Sequence, residues 1–217
     1  MNSMKIGILG SGTVAQTLAN GLIKFGHEVM LGSRSPEKLA DWKNKAGTNA
    51  TAGGFAETAA YGRLLILAVK GSVAQQTLKM VADESLEGKT IIDVTNPIAD
   101  DAPVNGVIKF FTNLDKSLME RLQGAYPKAN FVKAFNSIGA AFMVNPDFNG
   151  VRPSMFICGN NEQSKKDVSA IVTQLGFEVE DMGKAEAARA IEPLCMLWCI
   201  PGMLKNEWSH AFKLLKK

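Results

Sequence analysis

The chain has 217 residues, and 24 Lys and Arg stand against 21 Asp and Glu, a formal net charge of +3. With 46% hydrophobic and 21% charged residues, the composition excludes extensive disorder, a basic nucleic-acid-binding arm and an acidic tail. The length suits one domain, or one domain with a helical appendage.

Short apolar runs alternate with longer amphipathic ones. Residues 5–9 read as a buried strand and 13–24 as the helix after it, stopped by Gly26. A second strand is expected at 28–31. Pro36 then opens a helix to about residue 45, because proline is welcome in a first helical turn. A weak strand at 49–52 and a short helix at 55–61 follow. The fully apolar run 64–69 is expected to be a central strand buried on both faces. A helix at 73–81 and a strand at 90–94 come next. Residues 100–113 look irregular, with Pro103 and Gly106. Then come a helix at 116–125, strands at 131–135 and 154–158, a helix at 162–175 and a strand at 178–181. From Lys184 onward the chain reads as helical, broken at Pro201-Gly202.

Strands alternating with helices of this length predict βαβ units. The expected fold is α/β: a doubly wound, mostly parallel sheet over 1–183, with a short C-terminal helical segment, 184–217, that completes the site and offers a dimer interface. The longest apolar stretch, 194–200, is closed by Pro201, whereas a spanning helix needs roughly 20 residues. No signal-peptide core is visible. Three cysteines, an odd number, suit a reduced compartment without a disulfide framework. A cytoplasmic protein with no nucleic-acid or membrane partner is expected.

The motif Gly10-Ser11-Gly12-Thr13-Val14-Ala15 is a GxGxxA between a strand and a helix. Gly10 allows the tight turn, Gly12 lets the backbone approach a pyrophosphate, and Ala15 is small enough for close helix–strand packing. Free N–H groups and the helix dipole would hold the phosphates. The next strand ends in Gly32-Ser33-Arg34-Ser35-Pro36-Glu37-Lys38, with no carboxylate at the position that takes a ribose 2′-OH. Arg34 has instead a planar fork for a 2′-phosphate, aided by Ser33, Ser35 and Lys38. NADP is therefore the expected cofactor. The remaining strand ends should line the same crevice: Ala68, Val69 and Lys70; Thr95, Asn96 and Pro97; Asn136 and Ile138.

No nucleophile–base constellation is visible, and no catalytic residue is assigned. His27 is expected at the surface, and His210 in a basic tail without an obvious partner. Asp93 can be buried, with backbone in the next loop as its expected hydrogen-bond partner. Cys195 and Cys199 are four apart on one helix face, but no second ligand pair points to a metal, so apolar packing is the expectation. Met196, Trp198, Met203 and Trp208 read as core or dimer contacts. Hydride transfer between a nicotinamide and another ring needs placement more than acid–base chemistry, which fits this inventory.

The runs Lys5-Ile6-Gly7-Ile8-Leu9-Gly10-Ser11-Gly12, Gly32-Ser33-Arg34, Val132-Lys133-Ala134-Phe135-Asn136-Ser137-Ile138-Gly139-Ala140 and Glu192-Pro193-Leu194 resemble the deazaflavin (F420)-dependent NADP oxidoreductase family. They are also similar to the cytosolic oxidoreductase domain of the six-transmembrane metalloreductases. The resemblance runs from Met4 to about Lys205. It implies a Rossmann domain and hydride transfer between NADPH and a flavin or deazaflavin, with FMN, FAD or F420 as the second cofactor or substrate. It also implies a homodimer, with a small-molecule redox acceptor against Asn136 and Ile138 that reaches the C-terminal helix. Where the deazaflavin enzymes carry His-x-Ile-Pro, this chain has Asn136-Ser137-Ile138-Gly139, closer to the flavin-using metalloreductase domain. Two alternatives stay open: an NADPH-sensing module without turnover, and a small-substrate reductase of the hydroxyacid dehydrogenase or pyrroline-carboxylate reductase type.

Overall fold

A computed structural model describes residues 3–217; the first two residues of the expected 1–183 unit lie outside it. The strands are β1 (Lys5–Leu9), β2 (Glu28–Gly32), β3 (Ala50–Gly53), β4 (Leu64–Leu67), β5 (Thr90–Asp93), β6 (Asn130–Lys133), β7 (Ser154–Gly159) and β8 (Glu178–Asp181). They form one sheet in the order β3-β2-β1-β4-β5-β6-β7-β8. All neighbours are parallel except β6 and β7. The helices are α1 (Thr13–Lys24), α2 (Ala40–Ala46), α3 (Phe55–Tyr61), α4 (Gly71–Leu78), α5 (Leu118–Ala125), α6 (Glu162–Gln174) and α7 (Ala188–Lys205). The doubly wound α/β expectation holds.

The two faces of the sheet are filled by alternating residues. Ile6, Ile8, Leu64, Ile66, Ile92 and Val132 point to one core with Leu18, Leu22 and Trp42. Leu9, Leu65, Leu67, Ile91 and Phe131 point to the other with Leu78, Leu118 and Leu122. Each such side chain contributes roughly 1.5–3 kcal/mol by leaving water. Burial on both faces is why these strands read as continuous apolar runs.

Several elements depart from expectation for identifiable reasons. The strand expected at 131–135 stops at Lys133, because Phe135 has φ +59 and cannot continue it. Residues 36–39 form a tight 3₁₀ turn before α2 instead of one helix. The strand expected at 64–69 ends at Leu67. α7 is not broken at Pro201-Gly202: Pro193 and Pro201 lie inside it, and Asn206 at φ +58 ends it. Gly202 serves packing, since a Cβ there would meet the Trp208 ring at 2.3 Å. Residues 206–217 are not helical. They return along β7, where Ser154 N–H donates to the Phe212 carbonyl and Leu214 N–H to the Ser154 hydroxyl.

Among the described residues one helix, Ala185–Lys205 including its 3₁₀ start, is long and apolar enough by length and composition to cross a membrane. The sequence reading expected none. Its inward face is used within the fold, where Ala188, Ile191, Glu192, Cys195 and Trp198 are buried. His27, expected at the surface, is fully buried, with Nε2 2.9 Å from Gln174 Oε1.

Candidate functional site

A cleft of about 750 Å³ opens at the carboxyl ends of the central strands. That is where a doubly wound sheet places its ligands. The turn after β1 forms its floor. Gly10 sits at φ +147, and a Cβ there would come within 2.2 Å of the Ala68 carbonyl oxygen, so only glycine fits. Gly12 is the N-cap of α1 and supplies no side-chain cap. A Cβ on Gly12 would meet nothing within 4 Å, so the space before the helix is open. The first-turn N–H groups of α1 therefore face the cleft with no side-chain partner, a ready seat for an anion.

The end of β2 carries Ser33, Arg34, Ser35 and Lys38 to one rim of the cleft. Ser35 N–H donates to the Ser33 hydroxyl at 3.1 Å, which fixes the turn. Among the described residues, Arg34, Lys38 and Lys70 pair with no carboxylate. The lining holds these three cations and no Asp, Glu or His, a balance suited to a polyanionic ligand.

Fifteen of the seventeen residues singled out in the sequence line this one cleft: Gly10, Ser11, Gly12, Thr13 and Val14; Ser33, Arg34, Ser35 and Lys38; Ala68, Val69 and Lys70; Asn96, Asn136 and Ile138. Thr95 and Pro97 do not. Thr95 is turned inward, its N–H and hydroxyl both donating to Asp93 Oδ1 at 2.9 and 2.7 Å. Pro97 is buried, and its carbonyl accepts from Phe111 N–H.

The far end of the cleft is built by contacts distant in sequence. The Asn96 amide donates to the Asn136 carbonyl at 2.7 Å. Asn136 Nδ2 donates to Asn96 Oδ1 at 3.2 Å and to the Ile191 carbonyl at 2.9 Å. Asn136 Oδ1 is buried without a hydrogen-bond partner. An unpaired buried acceptor costs about 1–3 kcal/mol, and a ligand donor would relieve it. The left-handed Phe135 just before it aims this side chain, and backbone outliers of that kind gather at functional sites.

Below the cleft lies a charged cluster that sequence reasoning missed. Lys133 is fully buried between Asp93 at 2.7 Å and Glu192 at 3.0 Å. Its ammonium also donates to the Thr95 carbonyl at 2.8 Å. Glu192 accepts from Leu118 and Met119 N–H, both at 2.9 Å, at the start of α5. Burial lowers the Lys133 pKa, but Asp93 and Glu192 outweigh it and hold the ammonium above its ordinary value. The cluster sums to −1, and the positive end of α5 offsets part of that, worth about half a charge. Glu192 thus ties α7 to α5, next to the Asn136–Ile191 bond. Arg189 adds a fork onto Glu120, which also closes the capping box with Ser117. Burial raises the Glu120 carboxyl, yet Arg189 and Ser117 outweigh it and bring it down to about 2.

α7 supplies the remaining wall: Cys195, Trp198 and Cys199. Trp198 Nε1 donates to the His210 carbonyl, and His210 Nε2 lies 2.9 Å from the Trp198 carbonyl. The Trp198 ring also packs on Trp208 and on the His210 imidazole. His210 therefore has a partner after all, and these three α7 side chains, read as packing, face the cleft. Among the described residues no three His, Cys, Asp or Glu side chains gather as a metal site. Other lining residues come from α3 and α4, such as Phe55, Val73, Gln76 and Thr77. The spacing of 73, 76 and 77 on one helix face was the available signal for them.

The family profile described as NADP oxidoreductase, coenzyme F420-dependent, matches residues 5–97. The F420-dependent NADP reductase of Methanocaldococcus jannaschii is 30% identical over 208 residues, 89% of this chain and 90% of that protein. The rat metalloreductase STEAP3 is 33% identical over 205 residues, 92% of this chain. This chain spans only 39% of that metalloreductase's length. A solved structure from Arthrobacter sp. FB24, provisionally named an F420-dependent NADP reductase, superposes with TM-score 0.92 at 30% identity, covering 99% of this chain and all of that one. The chain belongs to the F420-dependent NADP oxidoreductase family and is an NADP-dependent oxidoreductase.

Proposed function

We propose that this protein passes a hydride between NADP(H) and a flavin or deazaflavin ring, the two meeting at the Asn136 end of the cleft. One observation carries the reading: Asn136, whose buried Oδ1 has no hydrogen-bond partner, lines a cleft that holds no carboxylate or imidazole. Such a lining offers a hydrogen bond to orient a carboxamide and no carboxylate or imidazole for general acid–base chemistry. Bound NADPH supplies the hydride. The Gly10–Gly12 turn and the α1 N-terminus hold the pyrophosphate; Arg34, Ser33, Ser35 and Lys38 hold the 2′-phosphate. Ala68, Val69, Lys70 and Asn96 line the stretch between. Asn136 orients the nicotinamide, and Ile138 with Trp198 keeps water from the reacting faces. Residues 184–217 complete the acceptor end. In the same proposal the protein is a cytoplasmic homodimer contacting through α7, where Leu197, Met203 and Leu204 are exposed. Its partner is a small-molecule redox acceptor, not nucleic acid or membrane; a monomer in sedimentation would overturn the dimer.

The test follows NADPH absorbance anaerobically with FMN, FAD and F420 supplied in turn. Oxidation by at least one is expected. Tight NADPH binding with no oxidation by any of the three would overturn the acceptor class.

A further inference from the structure

Cys195 and Cys199 lie one turn apart on α7, and both face the cleft with Trp198 between them. Cys195 is buried and Cys199 is partly open. The third cysteine is different in kind. Cys158 is fully buried in β7 against the Met119 sulfur at 3.8 Å, and burial pushes its thiol up to about 12.

We propose that Cys199 is a reversible oxidation site, that hydrogen peroxide entering the cleft is its oxidant, and that Cys195 resolves it into an intrahelical disulfide. The Cys199 thiolate attacks one peroxide oxygen; an S–O bond forms, the O–O bond breaks, and hydroxide leaves as water after taking a proton. The Cys195 sulfur then attacks the sulfenic sulfur; an S–S bond forms, the S–O bond breaks, and hydroxide leaves as water with the Cys195 proton. Two thiols and one peroxide become one disulfide and two waters, the thiols giving up two electrons.

The pair is asymmetric in the required sense. The Cys195 thiol beside it draws Cys199 below the ordinary thiol value, whereas Cys199 drives Cys195 upward. The exposed partner is the better thiolate and the buried one keeps its proton. Helix geometry sets Cβ atoms four apart at about 5–6 Å, against about 3.5–4.5 Å in a disulfide. The turn must therefore tighten by one or two ångströms. α7 can yield there because Pro193 and Pro201 lie inside it and bracket both cysteines. Each proline lacks the N–H that would bond the carbonyl four residues earlier, Arg189 and Leu197. Trp198 lies in the turn that moves, so its ring environment reports the change.

The test treats reduced full-length protein with one equivalent of hydrogen peroxide and maps the thiols by peptide mass. A Cys195–Cys199 disulfide, loss of two hydrogens from the intact chain and reversal by dithiothreitol are expected. A tryptophan fluorescence change should accompany it and be absent from Trp198→Phe. Cys195→Ser should leave a sulfenic acid on Cys199 that dimedone traps, and Cys199→Ser should yield no adduct at residue 195. Oxidation first at Cys158, a disulfide between chains, or no loss of hydrogens from the wild-type protein would overturn the proposal. None of these readouts uses the redox acceptor, so failure here is separate from failure of the proposed reaction.

Discussion

Lys133→Met tests the charged cluster that holds α7 against the sheet. Methionine nearly matches the lysine stem, so the substitution removes the charge without opening a large cavity. It leaves Asp93 and Glu192 buried, each having lost a partner at 2.7 or 3.0 Å, and frees the Thr95 carbonyl from its 2.8 Å bond. Breaking a buried pair from one side costs about 3–5 kcal/mol. Urea unfolding at pH 7 should show a loss of that size with an unchanged denaturant slope.

The deficit has a definite pH dependence. Without the ammonium, two carboxylates are left buried beside each other with no cation between them, a repulsion that acid relieves, so the variant should recover part of its stability on acidification. In the parent, Lys133 is itself raised above 10.5. Its contribution is complete below that value and disappears as pH climbs through the folded pKa. Adding Asp93→Asn and Glu192→Gln should restore much of the lost stability, because the buried charge is then gone. A loss below about 1 kcal/mol at pH 7, or no recovery on acidification, would refute a desolvated, paired cluster.

Three further expectations can be checked directly. Arg34→Ala should weaken NADPH binding by roughly 1.5–3 kcal/mol and leave NADH nearly unchanged, measured by calorimetry; equal losses would mean that Arg34 does not read the 2′-phosphate. Asn136→Ala should lower kcat/KM about 5- to 30-fold in the acceptor assay, while affinity for 2′,5′-ADP, which lacks the nicotinamide, stays put; a matching loss for that fragment would place Asn136 elsewhere. Glu120 has its carboxyl lowered to about 2 from 4.5, so its contribution is present above pH 4.5 and is lost as pH falls toward 2. Acid unfolding of Glu120→Gln should lack that segment of the stability curve.

The end of the cleft around Gly10 and Arg34 was legible because it is local. The glycines at 10 and 12, the small residue at 15 and the basic run 33–38 each act through backbone that is close in sequence. The strand cores were legible because Ile, Leu and Val on both faces leave a continuous apolar run. Phe135 was misplaced because a left-handed aromatic has no local signal; its backbone is held by the Met155 sulfur and its ring by Phe177, edge-on at 5.7 Å. Lys133 sat within an apolar strand, the one visible hint of buried charge, but its partners are 40 and 59 residues away. The end of α7 was misjudged because a proline and a glycine read as a stop. In the fold, Gly202 makes room for the Trp208 ring, a contact that only the returning tail creates.

The two ends of the cleft thus differ in how they are encoded. Everything that would hold the nucleotide phosphates lies within residues 5–97, the span that the family profile matches. The end proposed for the acceptor is assembled from Asn136, Ile191 and Trp198, with the tail at His210 fixing Trp198. Its position depends on α7 being held by Glu192 on α5. The joint between the ends is the reciprocal pair Asn96 and Asn136, each donating to the other across the β5 and β6 termini. Substitutions in α7 or the tail should accordingly change which ring is accepted while leaving NADP(H) affinity intact. Substitutions at the joint should change both together if, as proposed, Asn96 borders the nucleotide and Asn136 orients the ring that reacts.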